Sequence, residues 1–170
     1  MVVAETKRLV ISEFTTNDAS FYLRLVNTPN WIKYIGDRGI HTIEDAKNRI
    51  EESVLLSYVK NGFGSYKLQL KDADLKPIGS CGLYKRDYLN HADIGFAMLP
   101  EYENKGFGYE SSLEILKLAE NEFKQEQVLA ITLPSNEPSI KLLEKLGLSF
   151  EKTVIPFDDD EELLLFAKTF

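Results

Sequence analysis

Residues 92–112 read ADIGFAMLPEYENKGFGYESS, and this stretch decides the fold. Ile94 to Leu99 form a β-strand that breaks at Pro100, a short polar loop carries Gly106 and Gly108, and a helix begins directly after it. The first turn of a helix leaves amide N–H groups without intrahelical partners and holds the positive end of the helix dipole, so this geometry suits an anion, most often phosphate. Two glycines two residues apart permit positive φ and a close approach of the anion to the backbone. Lys105 adds a mobile cation beside them. Two familiar phosphate loops do not fit. A dinucleotide fingerprint needs a third glycine where Ser111 stands, and a Walker loop needs Gly-Lys-Ser/Thr where the chain has Lys105 before Gly106. By itself the Gly-x-Gly is equally a tight turn.

Outward from this stretch the chain alternates strands and helices. Leu9 to Phe14 is a first strand, and Thr15, Thr16, Asn17 and Asp18 offer N-caps for a helix to about Val26, stopped by Pro29. Asn30 to Gly39 is a loop or helical turn in which Trp31 and Tyr34 form either a packing patch or the lip of a pocket. Thr42 to Asp45 resembles a capping box opening a helix to about Val59, with Ala46, Ile50, Val54 and Tyr58 on one face. Ser65 to Leu70 and Pro77 to Tyr84 form a hairpin, and the strand at Ile94 completes a three-stranded meander. The helix from Gly106 to about Phe123 buries Leu113, Leu116, Ala119 and Phe123. Val128 to Leu133 follows as a parallel strand after a right-handed crossover. A helix from Asn136 ends at Gly147, and strands at Phe150 to Pro156 and Leu163 to Lys168 flank an acidic turn, Asp158 to Glu162, with no metal-holding spacing.

Composition narrows the function. At 170 residues with 44% hydrophobic and 28% charged residues, the chain reads as one domain, residues 1–170, of an ordinary globular class. A net charge of −7 argues against nucleic acid and against an anionic membrane as partners, and favours a cationic substrate. The lone cysteine, Cys81, excludes an internal disulfide and reads as a buried small hydrophobe. With no signal peptide or membrane-length apolar run, a cytoplasmic location is expected. His41 and His91 lack the partners of a catalytic triad and read as surface or turn residues.

The residues so far resemble the GNAT superfamily of acetyl-CoA-dependent N-acetyltransferases, in its RimJ/RimL-type branch of ribosomal-protein N-terminal acetyltransferases. Four pieces match in order: Thr6 to Leu9 (TKRL) as an opening strand, Ala92 to Pro100 (ADIGFAMLP) as the central strand, Glu103 to Gly108 (ENKGFG) as the pyrophosphate loop, and Asn136 to Leu148 (NEPSIKLLEKLGL) as the following helix. The resemblance implies an α/β (α+β) fold: a mixed, mostly antiparallel seven-stranded sheet with helices on both faces and a splayed central strand pair.

The resemblance also implies a chemistry. Acetyl-CoA enters where the Ile94 and Val128 strands part, the backbone of Phe96, Ala97, Met98 and Leu99 pairs with its pantetheine arm, and the residues Glu103, Asn104, Lys105, Gly106, Phe107 and Gly108 hold its pyrophosphate. An amide near Met98 polarises the thioester carbonyl, Asn136 contacts CoA, and no metal is required. Asp93 stands where several relatives place a general base, against the alternative of an edge carboxylate; Ser139 is the candidate for protonating or contacting the thiolate, against a plain first-turn residue. Two departures matter: Glu103 replaces the usual Gln or Arg, and Leu143 replaces a tyrosine that reprotonates the thiolate in many relatives. The acceptor is a small-molecule or peptide primary amine, with an α-amino terminus suggested by branch. Trp31, Tyr34 and the turn Arg86 to Tyr88 are its expected contact surfaces. A homodimer is compatible with the resemblance. A CoA-binding sensor without turnover is the rival reading, favoured by Leu143, and a nucleotide-binding enzyme a more distant one.

Overall fold

The computed structural model describes residues 1–156 and 161–170. Asp158 to Asp160 of the expected acidic turn lie outside the described residues. The strands are β1 (Val2–Glu5), β2 (Leu9–Glu13), β3 (Ser65–Leu70), β4 (Lys76–Tyr84), β5 (Asp93–Met98), β6 (Gln127–Thr132), β7 (Ser149–Val154) and β8 (Leu163–Thr169). They form one sheet in the order β1-β2-β3-β4-β5-β6-β8-β7, with every neighbouring pair antiparallel except β5 and β6. The fold is therefore the mixed α/β arrangement expected, with eight strands where seven were expected. The additional strand is β1, a half-exposed edge whose register with β2 shifts between Val2 and Ala4. Four residues bonded on one side give no alternation long enough to read from sequence. Thr6 to Arg8, expected within the opening strand, instead bend between β1 and β2, with the Thr6 amide donating to the Leu9 carbonyl at 2.9 Å.

The helices are α1 (Ala19–Val26), α2 (Pro29–Tyr34), α3 (Ile43–Arg49), α4 (Leu56–Asn61), α5 (Phe107–Asn121) and α6 (Glu137–Lys145). Pro29 opens α2 at its first position, where a missing N–H costs nothing, so one proline both ends α1 and starts the next helix. Thr42 caps α3 as expected, its hydroxyl accepting from the Asp45 amide while the Asp45 carboxylate takes the Thr42 amide. Between α3 and α4 the turn widens to a π-helix over Ile50–Leu55. A strict four-residue stripe drifts by about 40° per step around a 3.6-residue helix, and the wider turn winds it back. Ala46, Ile50 and Val54 thereby stay buried in one core with Phe14, Ala19, Tyr22 and Val26.

The second core lies between the sheet and α5 with α6, and contains Leu9, Ile11, Leu68, Leu83, Ile94, Ile115, Val128 and Leu143. The buried stripe of α5 differs from expectation: Leu113 is 38% exposed, while Ser111 and Ser112 are fully buried. Their hydroxyls explain why polar residues fit there. Ser111 donates to the Phe107 carbonyl at 2.8 Å, and Ser112 Oγ lies 3.5 Å from Cys81 Sγ, so each is satisfied without water. No helix among the described residues is long and apolar enough to cross a membrane.

Candidate active site

The sheet opens at the junction of β5 and β6, the only parallel one among the described residues. β5 and β6 share the single register pair Asp93↔Leu129, closed by a bond from the Leu129 amide to the Ala92 carbonyl at 2.9 Å. On its other side β5 is zipped to β4 without a break from Tyr84↔Asp93 to Gly79↔Met98, and the Leu99 amide continues the ladder by donating to Ile78 at 2.8 Å. In an antiparallel ladder the inward-bonded residues alternate. Ala97 and Gly95 therefore spend their amides and carbonyls on β4, and Leu99 its amide, whereas the backbone groups of Phe96 and Met98 face the gap. Of the four residues expected to offer backbone to a thioester arm, two do so. Leu99 is also fully buried, its carbonyl accepting from the Tyr102 amide at 2.9 Å.

Beyond β5 the chain turns through Pro100–Tyr102 into the glycine loop. Asn104 and Gly106 adopt left-handed φ of 56° and 81°, the second being the reason for a glycine there. Gly108 already lies within α5 and has helical φ, so it answers a different need: a Cβ on it would stand 3.2 Å from Leu142 Cδ2, at the mouth of the gap. The first helical bond of α5 runs from the Glu110 amide to the Gly106 carbonyl at 3.0 Å, which leaves the amides of Phe107, Gly108 and Tyr109 without intrahelical acceptors. These free amides stand where the sequence places an anion-binding turn. The Lys105 ammonium stands 5.8 Å from the ring of Tyr102, which lines the cleft. The Glu103 carboxylate is engaged elsewhere, accepting from Asn30 Nδ2 at 2.9 Å on both oxygens.

Sequence reasoning missed what fixes this loop. Glu110, in the first turn of α5, accepts from Thr6 Oγ1 at 2.6 Å, from the Arg8 amide at 2.9 Å and from Arg8 Nε at 2.6 Å. Arg8 continues to the loop itself, donating from Nη1 to the Lys105 carbonyl at 3.0 Å and lying 4.2 Å over the Phe107 ring. The Thr-x-Arg motif at the opening of the chain thus pins the glycine loop from outside. Burial works to raise the Glu110 carboxyl, but these hydrogen bonds outweigh it and hold it below its ordinary range. The available signal was the pairing of that motif with a glutamate four residues past Gly106, which only tertiary contact connects.

The gap belongs to a continuous cleft of about 840 Å³. It is lined by Phe96, Met98, Gly106, Gly108, Asn136 and Ser139 together with Trp31, Tyr34, Tyr84, Arg86 and Asp93, so the residues expected to hold CoA and those expected to meet the acceptor share one cleft. Asn136 caps α6 with its side-chain oxygen, 3.3 Å from the Ser139 amide, leaving its NH₂ group for the cleft. Leu143 is 1% exposed beneath Ser139 and provides no hydroxyl.

Asp93 sits at the apex where β5 and β6 part. It is 1% exposed, far from the edge carboxylate of the alternative reading, and bonded to Arg86 Nε at 2.8 Å. Burial pushes its carboxyl above the ordinary range even against that guanidinium. Burial works to lower the Arg86 pKa, but the charge and hydrogen bond of Asp93, with the phenols of Tyr88 and Tyr84, together outweigh it and leave the guanidinium charged. Gly95, two residues on, leaves the space that the Tyr84 ring fills: a Cβ would approach Tyr84 Cε2 to 2.9 Å. The Tyr84 hydroxyl donates to Ser65 Oγ at 3.0 Å. Among the described residues no group of His, Cys, Asp and Glu could hold a metal.

A sheet splayed beside a glycine-bearing helix N-terminus, with a carboxylate at the apex, is the architecture of an acyl-CoA-dependent N-acetyltransferase. The chain belongs to the GNAT acetyltransferase family, whose domain model matches residues 8–149. It is 30% identical over 154 residues to the uncharacterized N-acetyltransferase YnaD of Bacillus subtilis strain 168, covering 89% of this chain and 86% of that one. Among solved structures, the ribosomal-protein-S5-alanine acetyltransferase of Vibrio fischeri shares the fold with a TM-score of 0.81 at 18% identity, over 99% of this chain and 97% of that one. RimL, a ribosomal L7/L12 alpha-N-protein acetyltransferase in complex with coenzyme A, does so with a TM-score of 0.83 at 12% identity, over 100% and 98%. The protein is therefore an acetyl-CoA-dependent acetyltransferase.

Proposed function

We propose that residues 1–170 act as one acetyltransferase domain that passes the acetyl group to a primary amine, with the α-amino group of a protein or peptide as acceptor, by direct attack on the thioester. The observation that carries this reading is the single register pair between β5 and β6 beside the unpaired amides of α5. The residues present fit acetyl-CoA: Phe96 and Met98 turn their backbone groups to the gap, as an added strand requires, and Phe107, Gly108 and Tyr109 offer amides to a diphosphate. When bound, acetyl-CoA supplies an acyl group that an amine attacks at its carbonyl carbon.

The chain's own residues then have three tasks. The Met98 amide stabilises negative charge on the carbonyl oxygen as the amine adds. Asp93, raised by burial, accepts a proton from the incoming ammonium, since only the neutral amine attacks. An α-amine near 8 asks less of that base than an ε-amine near 10.4, which supports an amino terminus as acceptor. Ser139, whose hydroxyl lines the cleft without a protein partner among the described residues, protonates or hydrogen-bonds the departing thiolate in place of the tyrosine that Leu143 does not provide. A cytoplasmic site of action and a homodimer are both compatible with this role.

Incubating the protein with acetyl-CoA and short peptides with free or blocked amino termini tests the proposal. Free thiol and N-acetylated peptide should appear in equal amounts, only with the free terminus. Binding of CoA without thiol release across all amines would instead favour a sensor, the reading that Leu143 permits.

A further inference from the structure

The part of the cleft around Trp31, Arg38 and Arg49 is built from donors and positive charge. Trp31 Nε1 is buried and has no hydrogen-bond partner, and an indole N–H can only donate. Arg38 and Arg49 stand exposed at the rim of the same part. Arg38 gives one N–H to its own turn, from Nη2 to the Ile35 carbonyl at 3.2 Å, and the Arg49 guanidinium has no hydrogen-bond or ion-pair partner among the described residues. Both flank Tyr22, whose phenol is raised by burial and drawn back by these two charges.

The carboxylates close by are committed. Asp45 accepts from the amides of His41 and Thr42, and Asp37 accepts from the Gly39 amide and faces His41 Nε2 at 3.4 Å. Asp93 is neutralised by Arg86, and Glu103 is held by Asn30. Glu52 shares the shallow depression on the outer side of Arg38 and Arg49 without pairing with either among the described residues. A chain of net charge −7 thus sets two guanidinium groups that form no ion pair among the described residues, and an orphaned N–H, along the cleft.

We propose that the amine acceptor carries an anionic group, received by Arg38 and Arg49 at the rim and hydrogen-bonded by Trp31 Nε1. The proposal rests on the acetyl-transfer reading and narrows its acceptor. A guanidinium fork matches carboxylate or phosphate oxygens, and a cleft with apolar walls focuses its field where an open surface would be screened. The buried indole N–H has given up its water, and an acceptor oxygen from the ligand restores what it lost. A polyamine would bring a second positive charge against both arginines. The sign of the cleft, opposite to that of the whole chain, overrides the expectation of a cationic substrate drawn from net charge.

The test compares amines differing only in that anion: a peptide with a free terminus and glutamate at its second position against the same peptide with glutamine, glucosamine 6-phosphate against glucosamine, and spermidine. Two readouts are taken, thiol release from acetyl-CoA and calorimetric binding to protein saturated with CoA. One charge-assisted contact predicts that the anionic member of a pair exceeds its neutral partner by about tenfold or more in kcat/KM. Preference within the peptide pair assigns the anion as carboxylate, and preference within the sugar pair as phosphate. Arg38→Glu combined with Arg49→Glu should invert the preference toward spermidine, and Arg49→Lys should keep its sign. Equal rates within both pairs, a wild-type preference for spermidine, or an unchanged preference in the charge-reversed variant overturns the proposal. Tight binding of the anionic amine without thiol release would retain this inference while defeating acetyl transfer, and neither binding nor release would defeat both.

Discussion

Replacing Glu110 by alanine removes one carboxylate that takes three hydrogen bonds, from Thr6 Oγ1, the Arg8 amide and Arg8 Nε. The Glu110 side chain is 18% exposed and that of Arg8 41%, so the pair lies between two regimes. An exposed pair contributes at most about 1 kcal/mol, and breaking a buried one costs about 3–5 kcal/mol. Charge-assisted bonds of about 1.5–3 kcal/mol each, sharing one acceptor and therefore not additive, place the loss for Glu110→Ala at about 2–3 kcal/mol. For a chain of this size that lowers Tm by about 4–12 °C. Arg8→Ala should cost less, about 1–2 kcal/mol, because the Arg8 backbone amide keeps its bond to Glu110. It should weaken CoA more, by about tenfold, because it frees the Lys105 carbonyl and with it the glycine loop. Because the folded Glu110 carboxyl lies below its unfolded value, this stabilisation is present above the unfolded pKa and fades as pH falls through the folded one. Urea denaturation across pH and calorimetric titration with CoA measure both effects. Arg8→Ala that moves stability by less than about 0.5 kcal/mol and CoA affinity by less than about twofold would refute the pinning of the loop.

Three further outcomes follow from particular atoms. Gly106→Ala places a side chain at φ of 81° with its Cβ 3.3 Å from Arg8 Nη2, so it should cost about 1–2 kcal/mol in thermal unfolding and reduce CoA binding, whereas an unchanged Tm would contradict the left-handed loop. Asp93 has a folded pKa raised by burial first, so its contribution to stability is full below the unfolded value and is lost as pH rises through the folded one. The stability difference between wild type and Asp93→Asn should therefore shrink over that rise in denaturation curves, and a difference that grows instead would mean the carboxyl is depressed by Arg86. Cys81 is fully buried, with its thiol pushed up to about 11 by desolvation, so it should react with a thiol reagent only in denaturant; labelling of the native protein would show that core to be open.

The succession of strands and helices and the glycine turn before α5 were legible because each rests on local patterns. The alternation of Ser65 to Leu70, the break at Pro100 and the two glycines before α5 are signals carried by neighbouring residues. What stayed hidden depends on contacts distant in sequence. β1 exists only as the edge partner of β2, the buried serines of α5 are admitted by Cys81 and the Phe107 carbonyl, and the π-turn at Ile50–Leu55 answers a packing stripe. The same limit applied in the site. Asp93 could be singled out, but its burial against Arg86 could not. Net charge is silent for the same reason, since it sums the surface and says nothing of the sign of one cleft.

The claim on which the account turns is that β5 offers its backbone to the gap at alternate residues. Amide hydrogen exchange resolved by residue, with and without CoA, examines it directly. Ala97 and Leu99, bonded to β4, should be protected in both states, while Phe96 and Met98 should exchange fast in the free protein and slow on adding CoA together with Phe107 and Gly108. Protection of Phe96 and Met98 in the free protein, or no change on adding CoA, would contradict it.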